Sequence, residues 1–335
     1  MYIVTGGAGF IGSVLVWKLN RMGIGDVWIV DSLRRGDKWR NLAGLAFAEL
    51  IQPGEFLETI RREGGLPAGA EALVHLGACS STVEADADYL LENNFRYSRT
   101  VAEAALARGT RLIVASSAAV YGGGERGYGD GAGNLGSLRP LNMYGYSKLL
   151  FDRWAVASGS ERRLASLRFF NVYGPNEYHK GDMASMVFRS YRGVAGGGPM
   201  TLFRSHRPDF ADGEQKRDFV YVKDVVEVIW WLLENPGANG IMNVGSGEEE
   251  TWNQLGRALF AAVGREPDLR YADMPANIRD RYQYRTRADI RRLRAAGCPV
   301  NFRPLAEGVR DYVANHLSRS NPWVDNDPAR SEGPT

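Results

Sequence analysis

Tyr2-Ile3-Val4-Thr5-Gly6-Gly7-Ala8-Gly9-Phe10-Ile11-Gly12 follows Met1 directly. Four β-prone residues run into glycines spaced Gly6-x-x-Gly9-x-x-Gly12, and an apolar helical pattern continues from Phe10 to Arg21. A strand-to-helix turn this tight needs glycine torsions. A pyrophosphate must also reach backbone N–H groups with no Cβ in the way, and the last glycine lets helix pack on strand. The helix N-terminus favours negative charge. A glycine motif alone is weak evidence. Between a strand and an apolar helix it predicts a dinucleotide-binding turn.

The second predicted strand, Val27–Val30, ends at Asp31. A carboxylate about twenty residues after the turn bonds ribose hydroxyls and favours NAD. Ser32, Arg34, Arg35 and Lys38 follow, and a cationic loop suits the 2′-phosphate of NADP. On these residues alone both cofactors stay open.

Outward from the turn, strands are predicted at Phe47–Ile51, Ala72–Leu76, Arg111–Ser116 and Leu164–Phe169, with helices at Asp88–Arg108 and Tyr144–Ser158. Continuous apolar strands alternating with helices predict an α/β fold, a doubly wound parallel sheet of Rossmann type. After Asn171 glycine and proline punctuate the pattern, around a helix at Val222–Glu234 and a strand at Ile241–Val244. The expected organisation is a nucleotide-binding domain at 1–171, with sheet elements returning at about 215–245. A smaller substrate-binding lobe covers most of 172–317. The polar stretch 318–335 reads as a flexible tail in which Trp323 is the residue able to dock.

Composition narrows the function. The chain of 335 residues carries 41 Lys plus Arg against 39 Asp plus Glu, a net charge of +2, so no polybasic nucleic-acid or membrane footprint is present. No apolar run approaches a membrane span, and nothing at Met1–Thr5 reads as a secretory signal, so a cytoplasmic location is expected. Two cysteines, Cys79 and Cys298, and four scattered histidines argue against a disulfide scaffold or a metal site. Of the 40 glycines, eight lie in Gly122–Pro140, which reads as a mobile loop.

Tyr144 and Lys148 are four residues apart and share one helix face. A phenol is a poor base at neutral pH unless positive charge, such as an ammonium and an oxidised nicotinamide, stabilises its anion. Ser116 and Ser117 end the preceding strand and can offer a hydroxyl to a substrate oxygen.

With Gly6–Gly12, Ser117, Tyr144 and Lys148, the chain resembles the extended short-chain dehydrogenase/reductase family over residues 1–317. The resemblance implies that Ser117 and Tyr144 contact the reacting hydroxyl and that Lys148 binds the nicotinamide ribose. Narrower stretches are Leu76–Ser81, Asn93-Asn94, Arg168–Pro175, His179–Ser185, Lys216–Val222 and Arg281-Tyr282-Gln283. Together they are similar to the ADP-L-glycero-D-manno-heptose 6-epimerases within that family.

That similarity implies an epimerase inverting C6 of ADP-glycero-manno-heptose through transient oxidation by tightly bound NADP. Lys180 is then the second acid–base group. Phe10 and Ile11 line the pyrophosphate. Asp31, Ser32 and Lys38 hold the adenosine ribose end. Leu76, Gly77, Ala78, Cys79 and Ser80 pass beneath the cofactor, and Asn93 and Val172 touch it. The substrate falls to Ser81, Asn171, His179, Asp182, Arg189, Leu202, Phe203, Arg204, Ser205, Arg217 and Tyr282. A homopentamer is also implied. Arg217 makes sense by itself, since a guanidinium fork matches a diphosphate.

The chain departs from that pattern at Leu76, where the group tends to have Glu, and at Asp182 and Arg189. The segment Arg204–Asp209 is longer and more basic. Epimerisation at another carbon, such as C4, therefore stays open. A nucleotide-sugar dehydratase usually has Asp-Glu straight after the strand-end Ser/Thr, but Ala118-Ala119 stand there. A non-catalytic dinucleotide sensor tends to lose the Tyr/Lys pair, which this chain keeps. His179 can be a base or a phosphate ligand. His75 reads as a satisfied core residue and Cys79 as a packed one.

Overall fold

The computed structural model describes residues 1–279 and 282–326. The first half alternates β1 (Tyr2–Thr5), α1 (Phe10–Arg21), β2 (Val27–Val30), β3 (Glu49–Ile51), α2 (Pro53–Glu63) and β4 (Ala72–His75). Then come α3 (Ala87–Leu90), a wide π turn (Leu91–Arg96), α4 (Tyr97–Ala107), β5 (Arg111–Ser117), α5 (Met143–Ala157) and β6 (Leu164–Phe169). The second half runs β7 (Asn171–Tyr173), α6 (Met186–Ala195), β8 (Met200–Phe203), β9 (Lys216–Arg217), β10 (Phe219–Tyr221), α7 (Val222–Glu234) and β11 (Gly240–Val244). It continues through β12 (Glu250–Thr251), α8 (Trp252–Ala262), β13 (Leu269–Ala272), α9 (Ala276–Arg279), α10 (Arg291–Ala295) and α11 (Leu305–Tyr312).

Seven strands form one parallel sheet in the order β11-β6-β5-β4-β1-β2-β3. Strand order reverses beside β1, so a crevice opens beyond the carboxyl ends of β1 and β4, where ligands bind in such sheets. Apolar residues of α1 and α7, among them Val14, Leu15, Val225 and Ile229, cover one face. Phe56 of α2, Val101 and Ala105 of α4, and Phe151 and Ala155 of α5 cover the other. Strands covered on both faces show no alternation of burial, and Ala72–His75 and Leu164–Phe169 are buried at every position.

A second core gathers Val187, Val194, Leu202, Leu255, Phe260, Leu305 and Tyr312 from α6, β8, α8 and α11. Three two-stranded pairs, β7 with β10, β9 with β12 and β8 with β13, stiffen this region.

The structure differs from the sequence reading in several places. The single helix expected at Asp88–Arg108 is broken by the π turn at Leu91–Arg96, which carries Asn93 and Asn94. The third strand shortens to Glu49–Ile51. The tail is corrected over residues 318–326, which are docked. Val324 is 4% exposed, Trp17 Nε1 donates to the Asp325 carbonyl at 3.1 Å, and the Trp323 ring meets Tyr178 edge-on at 5.5 Å. Proline and polar residues do not prevent docking when backbone groups supply the bonds. Residues 327–335 lie outside the described residues.

The glycine-rich loop is pinned rather than loose. Leu135 and Leu138 are buried, Asp130 accepts from Asn243 N at 2.9 Å, and Arg153 donates to the Leu135 carbonyl. No helix among the described residues is long and apolar enough to cross a membrane.

Candidate active site

The phosphate turn is built as its spacing requires. Gly6 sits at φ +69°, and a Cβ on it would lie 2.7 Å from Gly77 N. A Cβ on Gly12 would lie 2.1 Å from the Gly6 carbonyl oxygen. Gly9 N donates to that same oxygen at 2.9 Å, closing the turn below the start of α1. Gly12→Ala is expected to weaken dinucleotide binding by roughly 10- to 100-fold, the binding equivalent of an overpacking strain of about 1–3 kcal/mol. Titration with NADPH and NADH checks this, and unchanged affinity for both would contradict the geometry.

Just past the end of β2, Asp31 is buried. Its carboxylate accepts from Ala8 N at 2.9 Å and Ser32 N at 2.7 Å, and pairs with Lys38 Nζ at 2.5 Å. Ser32 and Lys38 are half-buried, while Arg34 and Arg35 are exposed. Asn41, absent from the sequence reading, donates to the Ala8 carbonyl at 3.0 Å and lies 3.2 Å from His179 Nδ1.

The loop after β4 runs beside the turn. Leu76 N donates to the Thr5 carbonyl and Gly77 N to Thr5 Oγ1. Ala78 and Cys79 are half-buried and Ser80 is exposed, with Ser81 half-buried beside it. Buried Asn94 clamps this loop, accepting from Cys79 N and donating to the Cys79 carbonyl, both at 2.9 Å. It also donates to Ser147 Oγ in α5, and Asn93 donates to its side-chain oxygen. Asn93 was singled out from sequence, yet Asn94 does the clamping; the adjacent pair was the available signal. His75 links Thr5 at 2.6 Å and Ser98 at 2.8 Å, and burial pulls it down to about 3, so it stays neutral.

On α5, Asn142 caps the helix by accepting from Gly145 N at 2.8 Å, which fixes Tyr144 in its first turn. Ser117, at the end of β5, accepts from Ala119 N at 3.1 Å and lies close enough to Tyr144 to act on its phenol. Burial raises the phenol above its ordinary value while Ser117 opposes that rise. Lys148 is 5% exposed, and its ammonium donates to the Ala115 carbonyl at 2.9 Å. Burial lowers it to about 8, with nearby Asp152 pulling the other way. Asp152 continues the stripe of Tyr144 and Lys148 at i+4. It accepts from Ser116, Ser166 and Arg168, the last at 2.9 Å, with both members of the ion pair fully buried.

Across the cleft, β7 presents Asn171 and Val172, both half-buried. Arg217 is 6% exposed, with its guanidinium 4.9 Å from the Tyr282 ring and 5.8 Å from Trp252. It makes no ion pair among the described residues, although burial disfavours its charge. Tyr282 accepts from Trp252 Nε1 at 2.9 Å and meets Phe203 edge-on. Arg281, from the same sequence stretch, lies outside the described residues.

Other substrate expectations change. Leu202 is 4% exposed and its side chain belongs to the second core, because alternate residues of β8 face inward; exposed Phe203 faces outward. Arg204 lies near Asp212 and Asp273, and Ser205 N donates to Asp212. Exposed Asp182 and Arg189 pair with each other at 3.8 Å. His179 is lowered to about 4 by burial and by Lys38 and Lys180. The Lys180 ammonium sits 5.2 Å from the Phe10 ring centroid, beside the phosphate turn. It makes no side-chain hydrogen bond with Tyr144 or Ser117, and burial lowers it while Glu177 opposes.

A family model described as NAD dependent epimerase/dehydratase family matches residues 2–245. The chain belongs to the NAD dependent epimerase/dehydratase family. It is 53% identical over 324 residues to an ADP-L-glycero-D-manno-heptose-6-epimerase of Nitratidesulfovibrio vulgaris, covering 97% of this chain and all of that one. The structure is similar to a Helicobacter pylori ADP-L-glycero-D-manno-heptose-6-epimerase (TM-score 0.76, 27% identity, 93% and 94% of the two chains). It is also similar to a Thermus thermophilus UDP-glucose 4-epimerase in complex with NAD (TM-score 0.72, 30% identity, 93% and 97%).

The family cofactor is a nicotinamide dinucleotide, and this chain fits it. A Cβ would fill the cradle at Gly6 and Gly12, Gly77 crosses within reach of the turn, and Lys148 bonds the Ala115 carbonyl near the carboxyl end of β5, two strands from β1 in the same sheet. The chain is an NAD(P)-dependent enzyme of the epimerase type.

Proposed function

We propose that this enzyme inverts C6 of an ADP-glycero-manno-heptose by transient oxidation, with NADP held through the whole cycle. One observation carries the choice of sugar: near-full-length 53% identity to an enzyme named for that reaction. The turn at Gly6–Gly12 with Phe10 and Ile11, the loop Leu76–Ser80, Asn93 and Val172 would hold the dinucleotide. Asp31 supports NADP despite its charge. Its carboxylate is already engaged by Ala8 N–H and Lys38, and Arg34 and Arg35 lie free of the core just beyond it.

The chemistry a bound nicotinamide would supply is reversible hydride transfer. Ser117 holds the C6 oxygen and Tyr144 removes the hydroxyl proton. Lys148, charged below about pH 8, supplies the positive field that favours the phenolate. Arg217 grips the diphosphate from within its aromatic frame of Trp252 and Tyr282. Its buried charge, without a carboxylate partner among the described residues, is the kind of site an anionic ligand completes. Asn171, Ser81, Tyr282, Phe203, Arg204 and Ser205 border the sugar and nucleotide. The same reading carries a cytoplasmic homo-oligomer.

Lys180 serves as the second acid–base group, because inversion needs proton transfer on both faces. Lys180→Ala is expected to lower kcat by about 10²–10⁴ with KM little changed. A raised KM with kcat kept would make Lys180 an anion ligand beside Phe10 instead. The function itself is tested by incubating the holoenzyme with either C6 epimer and following C6 by NMR. Interconversion is expected. Inversion at C4 would move the reaction to the other carbon, and no change at either would overturn the reading.

A further inference from the structure

Asn176, a fully buried residue that touches none of the reacting groups, joins four segments. It sits at φ +74°, a left-handed conformation that Asn tolerates better than most residues. Its Nδ2 donates to Ser13 Oγ in α1 at 2.9 Å, and its Oδ1 accepts from Val324 N at 3.1 Å. Its carbonyl accepts from Asn41 Nδ2 at 3.1 Å, and the same amide reaches the Ala8 carbonyl in the phosphate turn. Immediately after it comes the turn carrying His179 and Lys180.

The segment Asn321–Asn326 is stitched to the same elements. Pro322 accepts from the Tyr178 hydroxyl at 2.8 Å. Asn326 N donates to the Gly44 carbonyl at 3.2 Å, and its side chain reaches Asn20 of α1. The Arg40 guanidinium lies between two indoles, 5.2 Å from Trp39 and 5.5 Å from Trp323. The adenosine-side loop needs such support, because its own residues Arg34 through Asp37, Trp39 and Arg40 are exposed and local stability follows burial.

We propose that Asn176 and the segment Asn321–Asn326 form a latch that positions the adenosine-side loop and α1 for dinucleotide binding and slows its release. The binding argument needs only the dinucleotide of this family. The reason such retention is useful, a hydride returned within one turnover, rests on the proposed epimerisation.

The test uses the full chain, freed of nucleotide, with Asn176→Gly and Trp323→Ala. Glycine keeps the left-handed backbone and removes only the amide. Each protein is titrated with NADPH and with NADH by nicotinamide fluorescence, well below its Tm, and release is followed by displacement. Kd for the preferred nucleotide is expected to rise about tenfold in each variant, the size of roughly one lost net hydrogen bond, with faster release. A merely structural role lowers Tm and leaves both affinities unmoved. Affinities within twofold of the parent in either folded variant would overturn the latch. If Asn176→Gly does not fold, Trp323→Ala decides, since its ring is half-exposed. Because no sugar enters the measurement, a failed latch and a failed C6 assignment are distinguishable.

Discussion

Tyr144→Phe is expected to lower kcat by about 10²–10⁴, the usual worth of a positioned acid–base group, while substrate KM stays close to the parent's. The phenylalanine ring keeps the packing of the first turn of α5 and loses only the hydroxyl. Burial holds the phenol above its ordinary value, so it ionises at neutral pH only against positive charge. Lys148 is that charge in the protein. Its folded value of about 8 lies below the ordinary 10.5, so its ammonium is complete below about pH 8 and is lost above it. The parent's kcat/KM is therefore expected to decline above about pH 8. Steady-state rates across pH 6–10, as a rough working window, measure both effects. A Phe variant retaining more than about a tenth of the rate would remove Tyr144 from the chemistry.

The second large effect concerns stability. Asp152→Ala is expected to cost about 3–5 kcal/mol, the penalty for stranding a buried charge. Arg168 and Asp152 are both fully buried, and the carboxylate also holds Ser116 and Ser166. Arg168 Nη1 passes the network on to the Tyr121 hydroxyl, which donates to Asn243. Alanine leaves a guanidinium with no counter-charge between β6 and α5. Replacing both partners together, Asp152→Leu with Arg168→Met, should recover much of that loss, because the expense lies in the orphaned charge. Urea unfolding compares the three proteins. A single-variant loss below about 1 kcal/mol would mean that the pair carries no more than a surface bridge does.

The sequence was most informative where function is local. Gly6, Gly9 and Gly12 lie within one turn, and Tyr144 and Lys148 within one helical turn, so spacing alone reveals their shared geometry. Asp152 extends the same stripe and could have been read from its i+4 position. It was missed because a helical carboxylate usually faces water. The frame around Arg217 draws on Trp252 and Tyr282, 35 and 65 residues further along the sequence, and no periodicity links them. Leu202 was misplaced for a related reason: strand alternation decides which of two neighbours faces the core, and β8 turns Leu202 inward. Lys180 shows the same limit, because a loop residue's neighbours depend on where its loop folds back, here onto Phe10. The docked residues 318–326 contain proline and polar side chains that imitate a disordered composition. Their attachment runs through main-chain carbonyls and amides, which composition does not register.

That attachment also orders events during synthesis. Trp17 and Asp325 are 308 residues apart, and Asn20 and Asn326 are 306. On the ribosome, at about 5–20 residues per second, the outer side of α1 is exposed for roughly 15–60 seconds before its partner emerges. Parallel strands that pair across long intervening stretches already fold slowly. The nascent nucleotide-binding half therefore spends that time with its α1 surface open to chaperones or to neighbouring chains.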